Sequence, residues 1–159
     1  MLRWAREHGC PWDGWTCAWA AQGGHLEVLK WAQEHGCPWT PWSVQPWDTS
    51  TCDWAASGGH LEVLKWAREH GCPWDHHTCA AAAQGGHLDV LRWARKHDCP
   101  WNEGTCAAAA EGGHLEVLQW AREHGCPWDD RVRACATPSR TNGGHQEMLA
   151  WLDAQGDAP

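Results

Sequence analysis

The chain has 159 residues, 43% hydrophobic and 20% charged, with a net charge of −8 when histidine is neutral. That balance suits one globular domain with a buried core, and so acidic a chain is a poor general ligand for nucleic acid or an anionic membrane. No apolar run approaches the ~18 residues of a membrane span, and "MLRWAREHG" puts charges where a secretion signal needs an apolar stretch.

In chain order, one phrase returns. The fragment "MLRWAREHGCPW" opens the chain, and "GGHLEVLKWAQEHGCPW", "GGHLEVLKWAREHGCPW", "GGHLDVLRWARKHDCPW" and "GGHLEVLQWAREHGCPW" follow, with "GGHQEMLAWLDAQGDAP" last. The "CPW" motif falls at Cys10, Cys37, Cys72, Cys99 and Cys126, at intervals of 27, 35, 27 and 27 residues. The long interval holds an eight-residue insertion at 40–47, visible as two successive Pro-Trp starts in "PWTPWSVQPWDTSTC". The chain therefore divides into a partial repeat 1–12, repeats 13–39, 40–74, 75–101 and 102–128, and a C-terminal cap 129–159. Together they read as a single array, a solenoid in which each unit buries its neighbour's apolar face. Met1 falls inside a second helix with no first helix before it, which reads as a piece of a longer array.

Each repeat predicts two helices. In 75–101, Asp75 is the N-cap, and Asp13, Asp48, Asn102 and Asp129 hold the same place. The first helix, His76 to Gln84, has four alanines that favour helix and let another helix approach closely. A glycine pair ends it. The second helix, exemplified by 61–70, gathers Leu61, Val63, Leu64, Trp66 and Ala67 on one wide arc and Glu62, Lys65, Arg68 and Glu69 on the other. Glu62 and Lys65 are placed to pair. Gly71 stops the helix and Pro73 prevents its resumption. Asp98 stands where the other repeats have this glycine, and aspartate tolerates a left-handed φ better than most residues. In the cap, Gln146 replaces the leucine that opens the second helix, the polar substitution a terminal unit needs.

The stretch "AAQGGHLEVLKWAQEHG" resembles the ankyrin repeat. Ala20, Ala21, Gly24, His25, Leu26, Val28, Leu29 and Gly36 carry the resemblance, and later copies repeat them in register. Ankyrin units span ~33 residues, whereas these span 27, and "CPWDxxT" stands where ankyrins have a β-hairpin finger. The resemblance implies an all-α solenoid of stacked helix-turn-helix repeats without hairpin fingers, and a non-enzymatic scaffold for binding a protein partner.

The sixteen tryptophans, in a chain with no Phe or Tyr, are framework residues first, since most recur in register. The ten cysteines fall in two recurring slots and are expected to be reduced, small and buried. His-Gly-Cys could be a catalytic pair, but no copy is distinguished and no third group orients it. Zinc wants four ligands at tetrahedral spacing, and the chain has no Cys-x-x-Cys. Haem is a related option, since Cys-Pro dipeptides resemble haem-regulatory motifs. Neither cofactor nor metal is therefore expected, and the acid chain is expected to be a monomer inside the cell, in the cytoplasm, without nucleic acid or membrane. Binding residues should lie where copies differ: Trp15, Trp19, Trp42, Trp47 and Trp54 as an aromatic patch rimmed by 40–47, and His76, His77, Glu103 and Arg131 after the caps. The alternatives are a purely structural spacer within a longer array, or a Cys/His repeat that binds metal or haem.

Overall fold

The computed structural model describes residues 14–37, 51–136 and 144–154. The partial repeat 1–12, the caps Asp13 and Asp48 and the insertion 40–47 lie outside the described residues. The chain divides into two compact units, Met1–Pro73 and Trp74–Pro159. The first contains α1 (Gly14–Gln22), α2 (Leu26–Glu34), α3 (Thr51–Ser57) and α4 (Leu61–Glu69). The second contains α5 (His76–Gln84), α6 (Leu88–Lys96), α7 (Glu103–Gly112), α8 (Leu115–Glu123), α9 (Arg131–Ala136) and α10 (Gly144–Ala154). Among the described residues there is no strand.

Starts and stops follow the expected chemistry. Asp75 accepts from the His77 backbone N–H at 2.7 Å, Asn102 from Gly104 at 3.0 Å and Asp129 from Arg131 at 3.1 Å. These bonds use amides that the first helical turn leaves without an internal partner. Helices α2, α4, α6 and α8 each end in a Schellman motif. In α4, Gly71 N donates to Arg68 O at 3.1 Å and Cys72 N to Ala67 O at 2.9 Å. Asp98 holds the matching place after α6 at φ 62°, the one non-glycine residue with positive φ among those described. Helix α4 closes one residue earlier than the sequence predicts, with His70 as its C-cap. Glu62 and Lys65 pair at 2.6 Å on its exposed side.

Within a unit, first helices pack on first helices: α1 on α3, α5 on α7, and α7 on α9. Small side chains fill most of these contacts, with Trp54 reaching α1 from α3 and Val132 buried on α9. Cys52, Ala55 and Ala56 are fully buried, as are Thr78, Cys79, Ala82 and Ala83, and Thr105, Cys106, Ala109 and Ala110. Each second helix packs on its own first helix and supplies the bulk, with Leu29, Leu64, Leu91 and Leu118 fully enclosed. The predicted arc is corrected in part. Val63, Leu64 and Ala67 are buried, but Leu61 and Trp66 are only half-buried.

Within each unit, the glycine pair of one repeat and the histidine of the next form a joint. His60 donates its Nε2–H to the Gln22 carbonyl of the preceding repeat at 2.8 Å, and His145 does the same to Glu111 at 3.2 Å. A carbonyl only accepts, so Nε2 carries the hydrogen. A Cβ on Gly58 would lie 2.5 Å from the Gln22 carbonyl oxygen. Gly86 has φ +76°, and a Cβ there would lie 2.5 Å from the His114 ring of the next repeat. Gly125, equally left-handed at φ +79°, faces open space.

Two glycine variants should therefore part company. Gly125→Ala should cost only the left-handed backbone penalty of about 1–2 kcal/mol. Gly86→Ala should add a clash of about 1–3 kcal/mol against the His114 ring. Urea unfolding of the two variants checks this, and equal losses would remove the interlocking role assigned to His114.

Candidate partner-binding site

Helices α1 and α3 bring together three of the predicted binding residues. Trp15 and Trp19 sit one turn apart on α1, and Trp54 reaches them from α3. Ring centroids are 6.5 Å apart for Trp15–Trp19, 6.1 Å for Trp15–Trp54 and 5.6 Å for Trp19–Trp54. The spacing and tilts are those of favourable aromatic pairs. Trp15 is 43% exposed and Trp19 61%, whereas Trp54 is half-buried beneath them. The Trp54 indole Nε1 is enclosed, with no acceptor among the described residues. Large indoles reach solvent here because the first helices touch through alanine, cysteine and threonine, leaving α1 no deep groove to receive a ring. Trp42 and Trp47, expected in the same patch, lie outside the described residues, as does the insertion expected to rim it.

The remaining predicted residues form small polar clusters in the second unit. His76 and His77 rings lie 4.1 Å apart, and His77 Nδ1 is 3.1 Å from the Asp75 carboxylate. Arg131 bridges Glu103 at 3.2 Å and Asp129 at 2.7 Å, and Asp129 foremost holds the guanidinium above its ordinary pKa. Both contacts are solvent-exposed pairs and add little to stability. Asp75, His76 and His77 are the one group of three metal-type donors lying close together among the described residues, with ligand atoms within 4.8 Å. The carboxylate already caps α5, and the positive end of that helix opposes a cation at this point.

Among the described residues, the histidine of each His-x-Cys stretch turns to its own helix end. His35 Nδ1–H donates to the Trp31 carbonyl at 2.7 Å, and its ring lies on the Trp31 indole at 4.3 Å. His70, His97 and His124 repeat the arrangement on Trp66, Trp93 and Trp120. Each ring is exposed, whereas the cysteine two residues on is buried. The histidine thus caps a helix-end carbonyl.

A second aromatic surface was missed by sequence reasoning. In the second unit, Trp74 packs edge-on to Trp93, Trp101 to Trp120 and Trp128 to Trp151, at 5.7, 6.0 and 6.3 Å. Arg95 lies over Trp101 at 4.2 Å and Arg122 over Trp128 at 4.0 Å, within cation–π range. Arg92, Arg95, Lys96, Trp101, Trp120 and His124 line an open cleft of about 320 Å³. The signal available was the change of charge on α6: Lys96 stands where the other copies have Glu34, Glu69 and Glu123.

The chain matches no protein-family model, and no curated protein matches it.

The three indoles should separate by variant. Trp19→Ala should change stability by no more than about 0.5 kcal/mol, as for an exposed side chain. Trp54→Ala should cost about 2–3 kcal/mol through the space left between α1 and α3. Denaturant midpoints of the two proteins check the order, and a larger loss for Trp19→Ala would make it a core residue.

Proposed function

We propose that the chain is an ankyrin-type solenoid of shortened repeats, a monomeric, intracellular, non-enzymatic scaffold that binds a protein partner through Trp15, Trp19 and Trp54. One observation carries the reading: two indoles, 43% and 61% exposed, are held against each other and against a third. Monomers rarely leave large contiguous apolar surface in water unless it meets something. Rigid, clustered tryptophans are the residues that dominate interface energies. His76, His77, Glu103 and Arg131 are peripheral in this reading, polar residues that vary from copy to copy on the same helix starts.

Repetition supports the scaffold half of the reading. Within each unit, a histidine-to-carbonyl bond joins one two-helix repeat to the next, the same joint used in both. The competing reading is a spacer with no partner, whose exposed indoles serve nothing.

Affinity capture with the full chain, Trp19→Ala and His76→Ala tests the reading, alongside melting of each protein. A bound protein retained by the intact chain and by His76→Ala, and lost with Trp19→Ala at unchanged melting temperature, is the expected result. Identical capture by all three would favour the spacer. Elution of the intact chain as a dimer that Trp19→Ala converts to a monomer would replace the foreign partner with a second copy.

A further inference from the structure

Every complete repeat carries two cysteines twenty residues apart, one on the first helix and one at the turn after the second. They are Cys17 and Cys37, Cys52 and Cys72, Cys79 and Cys99, and Cys106 and Cys126. All eight are buried. The turn cysteine is the last residue of the Schellman motif, its N–H held by Ala32, Ala67, Ala94 or Ala121 at 2.9–3.0 Å. The helix cysteine is fixed by the contact between first helices. Both backbones are therefore set before the sulfurs are considered. Cys17 Sγ donates to Cys37 Sγ at 2.6 Å. Cys52 Sγ reaches the Cys72 carbonyl at 3.9 Å, and Cys126 Sγ donates to the Asn102 carbonyl of its own repeat at 3.4 Å; the Cys72 thiol pushes the Cys52 pKa up, as Cys126 does for Cys106. Cys79 Sγ reaches the Cys99 carbonyl at 3.9 Å. None of the pairs has a third metal-type donor beside it among the described residues, and two sulfurs fall short of a structural zinc site.

We propose that these four pairs are cross-linking sites, each closing to a disulfide inside its own repeat by exchange with a small-molecule disulfide such as glutathione disulfide. The turn cysteine attacks first. Cys37 and Cys126 retain 3% and 2% exposure, against none for their helix partners, whereas Cys72 and Cys99 are as enclosed as theirs; in every repeat the turn cysteine lies outside the contact between first helices. The thiolate attacks one sulfur of the reagent and expels one glutathione thiolate, leaving a mixed disulfide. The helix cysteine, deprotonated in turn, attacks the protein sulfur of that intermediate and expels the second thiolate. The pair loses two protons and two electrons, and the reagent becomes two thiols. The hydrogen bond from Cys106, then the charge of Arg95, draw the Cys126 thiol below its ordinary pKa, which favours it as the first nucleophile there. Each bridge would tie the first helix to the end of the second. It leaves the joints between repeats untouched and constrains the unfolded chain by a loop of about twenty residues.

The sequence supplies an internal control. Cys135 occupies the helix slot in the cap, but Asp157 stands where its turn cysteine would be, and the 159 residues hold no helix-slot cysteine to match Cys10. Both should stay as thiols.

The test is to incubate the full chain with glutathione disulfide at pH 8, alkylate it in denaturant, and measure intact mass and peptide linkages, with a dithiothreitol-treated sample beside it. The expected result is two alkylated thiols, four linkages between cysteines twenty apart, and a melting temperature several degrees higher than that of the reduced chain. Cys79→Ala should lose one linkage, leave Cys99 alkylated and keep the other three. Cys106→Ala provides the same test in a second repeat. Ten alkylated thiols after oxidation, or linkages that join different repeats, would overturn the proposal.

Discussion

One contact sets the rest of this architecture: a histidine ring of one repeat lying over the glycine pair of the repeat before it. The ring can approach because neither glycine presents a β-carbon, and it stays because its Nε2–H meets a carbonyl that the preceding helix end leaves free. His60 on Gln22 and His145 on Glu111 show the bond directly, and the His114 ring fills the space against Gly86. Small residues on the first helices follow from the same requirement. With the loops held this close, there is room between α5 and α7 for alanine, cysteine and threonine but for nothing larger. Leucines of the second helices then fill the only remaining depth.

Much of this was legible in the sequence. Asp75, the alanine run and Gly85-Gly86 bounded α5 as it is observed, and the aspartate at 98 takes the left-handed φ that its neighbours assign to glycine. These features are local, and local rules suffice for them. The glycine pair, however, read only as a helix stop. Its role beneath the His114 ring of the next repeat depends on stacking, which no single repeat contains. The second helices misled for a related reason. A wheel counts Trp66 as one more core residue, yet its large indole remains half in water and stacks on His70 instead.

The candidate site divides the same way. Comparison between copies pointed to Trp15, Trp19 and Trp54, and the structure brings those three into contact. It gave no hint that Trp54 would lie beneath the other two with its N–H enclosed, because that depends on the approach of α1 to α3. His76, His77, Glu103 and Arg131 vary between copies as well, but they resolve into caps and solvent-exposed pairs. Variation identifies positions free of the packing constraint, and only geometry separates those that gather from those that merely differ.

The stacked rings have an optical consequence. With sixteen tryptophans and no tyrosine or phenylalanine, near-ultraviolet absorption comes almost wholly from indoles. Edge-on pairs such as Trp74–Trp93 and Trp101–Trp120 hold their transition dipoles at fixed mutual angles, the condition for exciton-split circular dichroism. Peptide-bond dichroism follows the helices separately. The molecule thus carries two independent spectroscopic clocks, one for the register of its rings and one for its backbone.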